Sequence, residues 1–292
     1  MAFDDLRPQS PRTAENTRVP ILATTYGDTA LARSRAAAEM LSPVMDIAFG
    51  AHPDQKLDIF RPVGSEPAPV LMFFHGGAWA HGYKEWNGFM APALVDLPAV
   101  LVSVGYRLVP DYKWPAPFDD ALNALRWVHA NIAAYGGDST RIHVAGWSAG
   151  GTLAALLASR QDIYSAYDLP VDVIRSCMVT STSFRFRNTD PAPGTRGINY
   201  REFLFATDKD ETTASVIDQV IGPCPPFFIS WGENDFAHVR ETGDEVVPLL
   251  KANGTSVERH VYPGLDHYAM NLAQGDRAHE WVQTARSYLA SS

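Results

Sequence analysis

From residue 57 onward, the chain alternates between short apolar runs and longer segments in which apolar residues recur every three or four positions. The short runs are rich in β-branched and aromatic residues, which favour strands. They predict strands at 57–60, 70–74, 100–104, 142–144, 174–179, 227–231 and 257–261. The longer segments predict helices at 118–135, 152–159, 243–252 and 277–289. Continuously apolar strands separated by helices predict a mostly parallel central sheet covered by helices on both faces.

Two segments interrupt this alternation. Residues 1 to about 50 contain several prolines and one helical stretch, at about 29–41, and we interpret them as a peripheral arm. Residues 181–222 contain no clear strand, several Pro and Gly residues, and a mixture of aromatic and basic side chains. Because a structureless loop of about 40 residues is uncommon in a compact domain, this segment is predicted to be a partly helical insertion over the sheet edge. We therefore expect one domain over residues 1–292, with cap elements at about 1–50 and 181–222.

The sequence Gly146-Trp147-Ser148-Ala149-Gly150 matches the pattern G-x-S-x-G between a predicted strand and a predicted helix. This strand–turn–helix context is the one that a nucleophile elbow requires. Glycines on either side let the chain turn sharply, so that the serine hydroxyl projects at the carboxyl edge of the sheet, beside the positive end of a helix. We therefore predict that Ser148 is a nucleophile. The alternative is that the glycines serve only close packing of the strand and helix.

A second glycine turn, His75-Gly76-Gly77-Ala78-Trp79, follows the predicted strand at 70–74. Glycines after a strand free backbone N–H groups to point into a site. An acyl-transfer enzyme needs such donors where negative charge develops on the carbonyl oxygen. We assign the N–H groups of Gly77, Ala78 and Ala149 to an oxyanion hole. The alternative is an ordinary glycine turn.

A serine is a weak nucleophile unless a base lies in reach and a third group orients that base. Of the nine histidines, His267 follows the last predicted strand on a loop that contains Pro and Gly, and such a loop would carry a base back to the serine. Asp235 follows the strand at 227–231 and is the predicted acid, with Glu233 as the second choice. The resulting order Ser148, Asp235, His267 is the one expected for a hydrolase of this strand–helix pattern. His75 is interpreted as structural.

Three further segments carry a family resemblance. They are Val-Gly-Tyr-Arg-Leu-Val-Pro at 104–110, Trp-Pro-Ala-Pro-Phe-Asp-Asp-Ala at 114–121, and Gly-Gly-Asp at 136–138. With the motifs above, over about residues 55–290, they resemble the α/β-hydrolases, and within them the hormone-sensitive-lipase-like esterases and the neighbouring kynurenine formamidase-like group. The resemblance implies an α/β-hydrolase fold with a small cap. By physical reasoning, Tyr106 and Arg107 brace loops under the oxyanion turn, and Gly136 and Gly137 end a helix.

The resemblance leaves the substrate open. The lipase-like esterases usually have Gly at position 78 and Asp at position 147, where this chain has Ala78 and Trp147, whereas Trp79 and residues 54–62 resemble the formamidase-like group. We expect a serine hydrolase that cleaves small carboxylic esters through an acyl-enzyme. The alternatives are an N-formyl or aryl amide hydrolase, an enzyme that transfers the acyl group to an alcohol, and a non-catalytic small-molecule binding protein on the same fold.

Two sets of side chains are candidates for substrate contacts. Tryptophans at 79, 86, 114 and 147 are candidates to line an acyl or aryl pocket, although tryptophans are as often part of a core. Arginines at 185, 187, 196 and 201 are candidates to meet a substrate carboxylate, although exposed arginines are usually only solvated.

Composition narrows the remaining function classes. The chain has 24 basic and 33 acidic side chains and a net charge of −9, without a basic block, which argues against a nucleic-acid partner. Its two cysteines lack metal-ligand spacing, and neither H-E-x-x-H nor G-x-G-x-x-G occurs, so we expect no metal and no organic cofactor. Without a secretion signal or an apolar run of membrane-spanning length, we expect a soluble, cytoplasmic monomer or homodimer.

Overall fold

The computed structural model describes residues 3, 21–61, 64, 67–94, 97–186 and 204–291, and within them eight strands form a single sheet. The strands are β1 (Val44–Ala48), β2 (Lys56–Phe60), β3 (Ala68–Phe74), β4 (Val100–Val104), β5 (Gly137–Trp147), β6 (Ile174–Thr180), β7 (Phe227–Gly232) and β8 (Val257–Tyr262). Their order across the sheet is β1-β2-β4-β3-β5-β6-β7-β8. β1 and β2 pair antiparallel with their neighbours, and all pairings from β4 to β8 are parallel. The predicted mostly parallel sheet is confirmed.

Helices cover both faces of this sheet, as the alternation of strands and helices predicts. They are α1 (Ile21–Leu41), α2 (Ala116–Asn131), α3 (Ala149–Ser159), α4 (Asp208–Ala214), α5 (Ala237–Ala252), α6 (His267–Ala273) and α7 (Glu280–Ala290). Short 3₁₀ segments occur at Lys84–Ala93, Ile132–Tyr135, Gln161–Tyr167 and Val216–Asp218. Because successive residues of a strand point to opposite faces, Val70, Met72 and Phe74 of β3 join a core with α2, α3 and α5. Leu71 and Phe73 join a second core with α1, α6 and α7.

Among the strands and α-helices, β1 and α6 do not appear in the sequence-based prediction. β1 lies within the segment interpreted as a peripheral arm and forms the edge of the sheet. Three of its five residues are half-buried and two are exposed, so β1 lacks the continuous apolar run by which the inner strands are identified. α6 lies where a Pro/Gly loop is predicted, and its seven residues are too few to show a helical period. Asp266 begins α6 by accepting hydrogen bonds from the N–H groups of Tyr268 and Ala269.

The predicted insertion at 181–222 is described only in part. α4 and the segment Val216–Asp218 make its described portion partly helical, as expected, while residues 187–203 lie outside the described residues. Arg187, Arg196 and Arg201 therefore also lie outside them. That this segment and the arm act as a cap stays a prediction.

An ion pair between the partly exposed Arg107 and the buried Asp120 connects the loop after β4 to α2. The Arg107 guanidinium donates from Nε and Nη2 to the Asp120 carboxylate at 2.7–3.0 Å, and the Arg107 backbone N–H donates to Asp120 at 2.8 Å. Gln55, just before β2, donates to the same carboxylate at 2.6 Å. Asp120 is fully buried, so these donors are the groups that compensate its charge. Arg107 thus braces the loop, as the sequence predicts.

We expect Asp120→Asn to lower the free energy of unfolding by about 2 kcal/mol, because it removes the charge that strengthens the hydrogen bonds of Arg107 and Gln55 to this buried side chain. The matched control is Asp119→Asn, on the same helix but only half-buried, for which we expect a change of at most about 0.5 kcal/mol. Urea unfolding of the two variants beside the wild type measures both effects. Equal unfolding midpoints for the two variants would contradict the role of the pair.

Candidate active site

Ser148 occupies a sharp turn between β5 and α3. Its backbone has φ 55° and ψ −124°, a left-handed conformation that non-glycine residues rarely adopt and that costs on the order of 1–3 kcal/mol. The Ser148 N–H donates to the carbonyl of Thr180 at the end of β6, at 3.0 Å. The neighbouring strand thereby helps to hold the strained turn in place.

Close backbone approach explains the two glycines on either side of Ser148. A Cβ atom on Gly146 would overlap the backbone of Gly150, and a Cβ atom on Gly150 would overlap the carbonyl groups of Phe74 and His75. Any side chain at these positions would force β5, α3 and the end of β3 apart. The sequence pattern therefore reflects a turn in which three segments of backbone meet at one point.

The structure brings Ser148, His267 and Asp235 together at the carboxyl edge of the sheet. His267 Nε2 lies 3.0 Å from Ser148 Oγ, and His267 Nδ1 lies 2.7 Å from Asp235 Oδ1. The three residues follow β5, β8 and β7, whose carboxyl ends parallel pairing places at one edge of the sheet. This is the arrangement in which an imidazole can take a proton from a hydroxyl while a carboxylate holds its other nitrogen.

The environment of Asp235 keeps its carboxyl group ionised. Burial pushes the pKa of Asp235 upward, but the hydrogen bond and charge of His267, together with smaller contributions from other hydrogen bonds, outweigh burial and hold that pKa below its usual value. The N–H of Phe236 donates to the same oxygen at 2.8 Å. Glu233, the second choice for the acid, instead accepts a hydrogen bond from the N–H of Gly264 at 3.0 Å and supports the loop that leads to His267.

The glycine turn after β3 packs directly against the Ser148 turn. Gly77, Ala78 and Trp79 have positive φ values of 126°, 50° and 67° in succession. A Cβ atom on Gly76 would overlap the ring of Trp147 and lie 3.0 Å from Ser148 Cβ. In the part of the chain that the structure describes, no protein acceptor is assigned to the N–H groups of Gly77, Ala78 and Ala149. These groups are thus available as donors, and their service as an oxyanion hole stays a prediction.

His75 and Tyr106 support the glycine turn from below. The His75 ring stacks on the Tyr106 ring at 4.3 Å, and the Tyr106 hydroxyl donates to the His75 carbonyl at 2.7 Å. His75 Nδ1 lies 2.7 Å from the carbonyl of Gly76, and burial lowers the pKa of His75 to about 4. A neutral, fully buried imidazole with these contacts has the structural role expected for His75.

Aromatic side chains enclose His267. The indole nitrogen of Trp147 donates to the His267 carbonyl at 3.0 Å, and the two rings lie 5.0 Å apart. The Phe236 ring lies 4.4 Å from the imidazole on an exposed part of the site. Sequence reasoning did not single out Phe236, although its position directly after the predicted acid was a usable signal. Trp79, Trp86 and Trp114 are buried as well.

Arg185, a candidate to meet a substrate carboxylate, forms ion pairs with acidic side chains of the protein instead. Its guanidinium pairs with Asp218 at 3.3 Å and with Glu245. Both acidic partners belong to the protein, so Arg185 serves to connect the insertion to α5.

Within the described residues, the arrangement of potential metal ligands and the character of the helices bear on cofactors and membranes. No three His, Cys, Asp or Glu side chains within the described ranges come together as a metal ion would require. Among the helices that the structure describes, none combines the length and apolar character needed to cross a membrane.

Comparison with known proteins matches residues 71–271 to a family described as alpha/beta hydrolase fold. Carboxylesterase NlhH of Mycobacterium tuberculosis is 33% identical over 224 residues, which cover 73% of this chain and 70% of that protein. Esterase LipC of the same organism is 32% identical over 247 residues, covering 79% and 60%. The solved structure of a Pyrobaculum calidifontis esterase superposes with a TM-score of 0.72 at 24% identity and covers 98% of both chains. The fold implied by the sequence motifs is confirmed.

We expect a fluorophosphonate probe to label the protein once, at Ser148. The Oγ would attack phosphorus as fluoride leaves, and His267 would accept the hydroxyl proton. Ser148→Ala should remove the adduct from the intact mass spectrum, and His267→Ala should slow labelling at least about 100-fold. Ser139→Ala, at a half-buried serine earlier in β5, is the control and should label like the wild type. Labelling that persists in Ser148→Ala would exclude this serine as the reactive one.

Proposed function

The chain belongs to the α/β-hydrolase fold family, and we propose that it is a carboxylic ester hydrolase that acts on small esters through an acyl-enzyme at Ser148. The observation that carries the proposal is the continuous hydrogen-bonded series from Ser148 Oγ through His267 to Asp235. Similarity to a carboxylesterase and an esterase supports the ester as the bond that is cleaved.

The proposed reaction uses each group in a defined step. His267 Nε2 accepts the Ser148 proton as Oγ attacks the ester carbonyl, and Asp235 fixes the ring with its proton on Nδ1. The N–H groups of Gly77, Ala78 and Ala149 donate to the oxygen on which negative charge develops. His267 then passes the proton to the leaving alcohol. Water attacks the acyl-enzyme with His267 again as the base, which releases the acid and restores the serine.

The alternative functions receive less support. Arg185 is paired with two carboxylates, which weakens the case for an acidic aryl amide held by the insertion. A non-catalytic binding protein would have no need for an imidazole placed between a serine and an ionised aspartate. Small esters therefore remain the proposed substrates, while a cytoplasmic location and a monomeric or homodimeric state stay predictions from the sequence.

We expect Asp235→Asn to lower kcat for p-nitrophenyl butyrate by about 10³- to 10⁴-fold, because an amide would favour the wrong tautomer of His267. Glu233→Gln is the matched control, two residues earlier on the same loop, and should stay within about threefold of the wild type. Steady-state kinetics of both variants, with folding checked by circular dichroism, measure the difference. The reverse ranking would show that Glu233 is the acid.

The choice between ester and amide is tested by comparing kcat/KM for p-nitrophenyl acetate or butyrate with kcat/KM for N-formylkynurenine. An ester releases its alcohol readily, whereas an amide nitrogen must receive a proton from His267 as it departs. We expect the ester to be preferred. A formamide preference beyond about 100-fold, or roughly 2.7 kcal/mol, would replace the proposed substrate class.

A further inference from the structure

The arm helix α1 docks on the short helix that begins at His267. Arg33 Nη1 of α1 donates to the carbonyl of Leu272 at 2.9 Å, and the Tyr26 hydroxyl donates to Asn271 Oδ1 at 2.7 Å. Both acceptors belong to α6, whose first residue is His267. The segment at the start of the described chain is therefore attached directly to the element that carries the proposed base.

The ring of Tyr26 packs on Trp147, the residue that connects the proposed nucleophile to the proposed base. Its centroid lies 4.7 Å from the Trp147 ring and 5.6 Å from the Tyr268 ring. Trp147 directly precedes Ser148 and donates its indole N–H to the His267 carbonyl. Because Tyr26 is only 3% exposed, a shorter side chain would leave Trp147 without support on this side.

The hydroxyl of Tyr26 begins a buried series of hydrogen bonds that reaches the side chain of Thr180, a residue whose backbone binds that of Ser148. Asn271 Nδ2 donates to Gln274 Oε1 at 2.7 Å, and Gln274 Nε2 donates to Thr180 Oγ1 at 2.8 Å. The Thr180 carbonyl accepts the N–H of Ser148. Asn271, Gln274 and Thr180 are all fully buried, so each depends on its protein partner in this series.

Tyr26 is suited to be the donor that starts this series. Burial, and to a lesser extent the neighbouring Tyr268, raises the pKa of Tyr26, so its hydroxyl stays protonated. Asn271 Oδ1 can only accept, and its amide nitrogen is already directed to Gln274. Each hydrogen bond of the series therefore has its donor on the Tyr26 side and its acceptor on the Thr180 side.

We propose that Tyr26 is a positioning residue that holds Ser148 and His267 in reactive geometry, by its ring through Trp147 and by its hydroxyl through Asn271. This inference rests on the proposed function of the Ser148 site. Catalysis is sensitive to small displacements, and a shift of about 1 Å in a reacting group can lower the rate by about 100-fold. Tyr26 would therefore affect the chemical step and leave substrate binding nearly unchanged.

The test compares Tyr26→Leu, which removes ring and hydroxyl, with Tyr26→Phe, which keeps the ring. Tyr26→Leu should lower kcat for p-nitrophenyl butyrate and the rate of fluorophosphonate labelling by about 10- to 100-fold, with KM within about threefold of the wild type. Tyr26→Phe should restore most of this loss and remain about 3- to 10-fold below the wild type. Rates are measured at a temperature at which every variant is folded by circular dichroism.

Two controls separate positioning from stability. Tyr164→Phe removes another buried hydroxyl, which donates to the Leu157 carbonyl at 2.6 Å, and Ala37→Gly weakens α1 at a buried position away from Trp147. Both should keep kcat and labelling within about twofold of the wild type. Equal activity losses in Ala37→Gly and Tyr26→Leu would overturn the proposal, because destabilised α1 would then explain both.

The remaining outcomes are also decisive. A folded Tyr26→Leu variant that labels at the wild-type rate, or that raises KM with kcat unchanged, overturns the positioning role. If Tyr26→Leu does not fold, Tyr26→Phe carries the test, and wild-type rates there overturn the role. Wild-type protein that neither labels nor cleaves esters would instead refute the proposed function.

Discussion

The left-handed turn at Ser148 is the constraint on which the arrangement of the site depends. It brings the backbones of β5, α3 and the end of β3 so close together that the flanking positions must be glycine. It also directs the Ser148 hydroxyl away from the sheet, where His267 Nε2 lies at 3.0 Å. A strained conformation persists only when its surroundings determine it, and here the hydrogen bond from Ser148 to Thr180 and the packing of the second glycine turn do so.

Much of this arrangement can be predicted from the sequence because the carboxyl ends of parallel strands lie at one edge of the sheet. The serine, acid and histidine were each identified as residues that follow a strand, and parallel pairing makes that position equivalent to proximity. The choice of Asp235 over Glu233 had a weaker basis, since both lie on one loop two residues apart. Only the three-dimensional path of the loop shows that Glu233 turns toward Gly264 while Asp235 turns toward His267.

Other parts of the fold left no readable signal. β1 and α6 are too short for a periodic pattern, and α6 begins within a loop that contains Pro and Gly. The contacts of Tyr26 with Trp147 and Asn271 join residues far apart in the chain, so no local spacing indicates them. Local spacing likewise does not indicate the aromatic rings that pack around His267. Sequence position identifies Trp147 and Phe236 as neighbours of site residues, but their packing on the imidazole is a property of the assembled sheet edge.

The hydrogen bond between Tyr26 and Asn271 spans 245 residues of chain, and this separation orders events during translation. The ribosome releases α1 early, long before it makes the helix on which α1 docks. A nascent chain that already contains Ser148 therefore still lacks the base, the acid and the docking surface for the arm. Closing so long a loop comes late in folding, after the local contacts of the sheet have formed. A chain that ends before His267 lacks the proposed base, and if Tyr26 positions the serine, full reactivity arises only when the two distant segments meet.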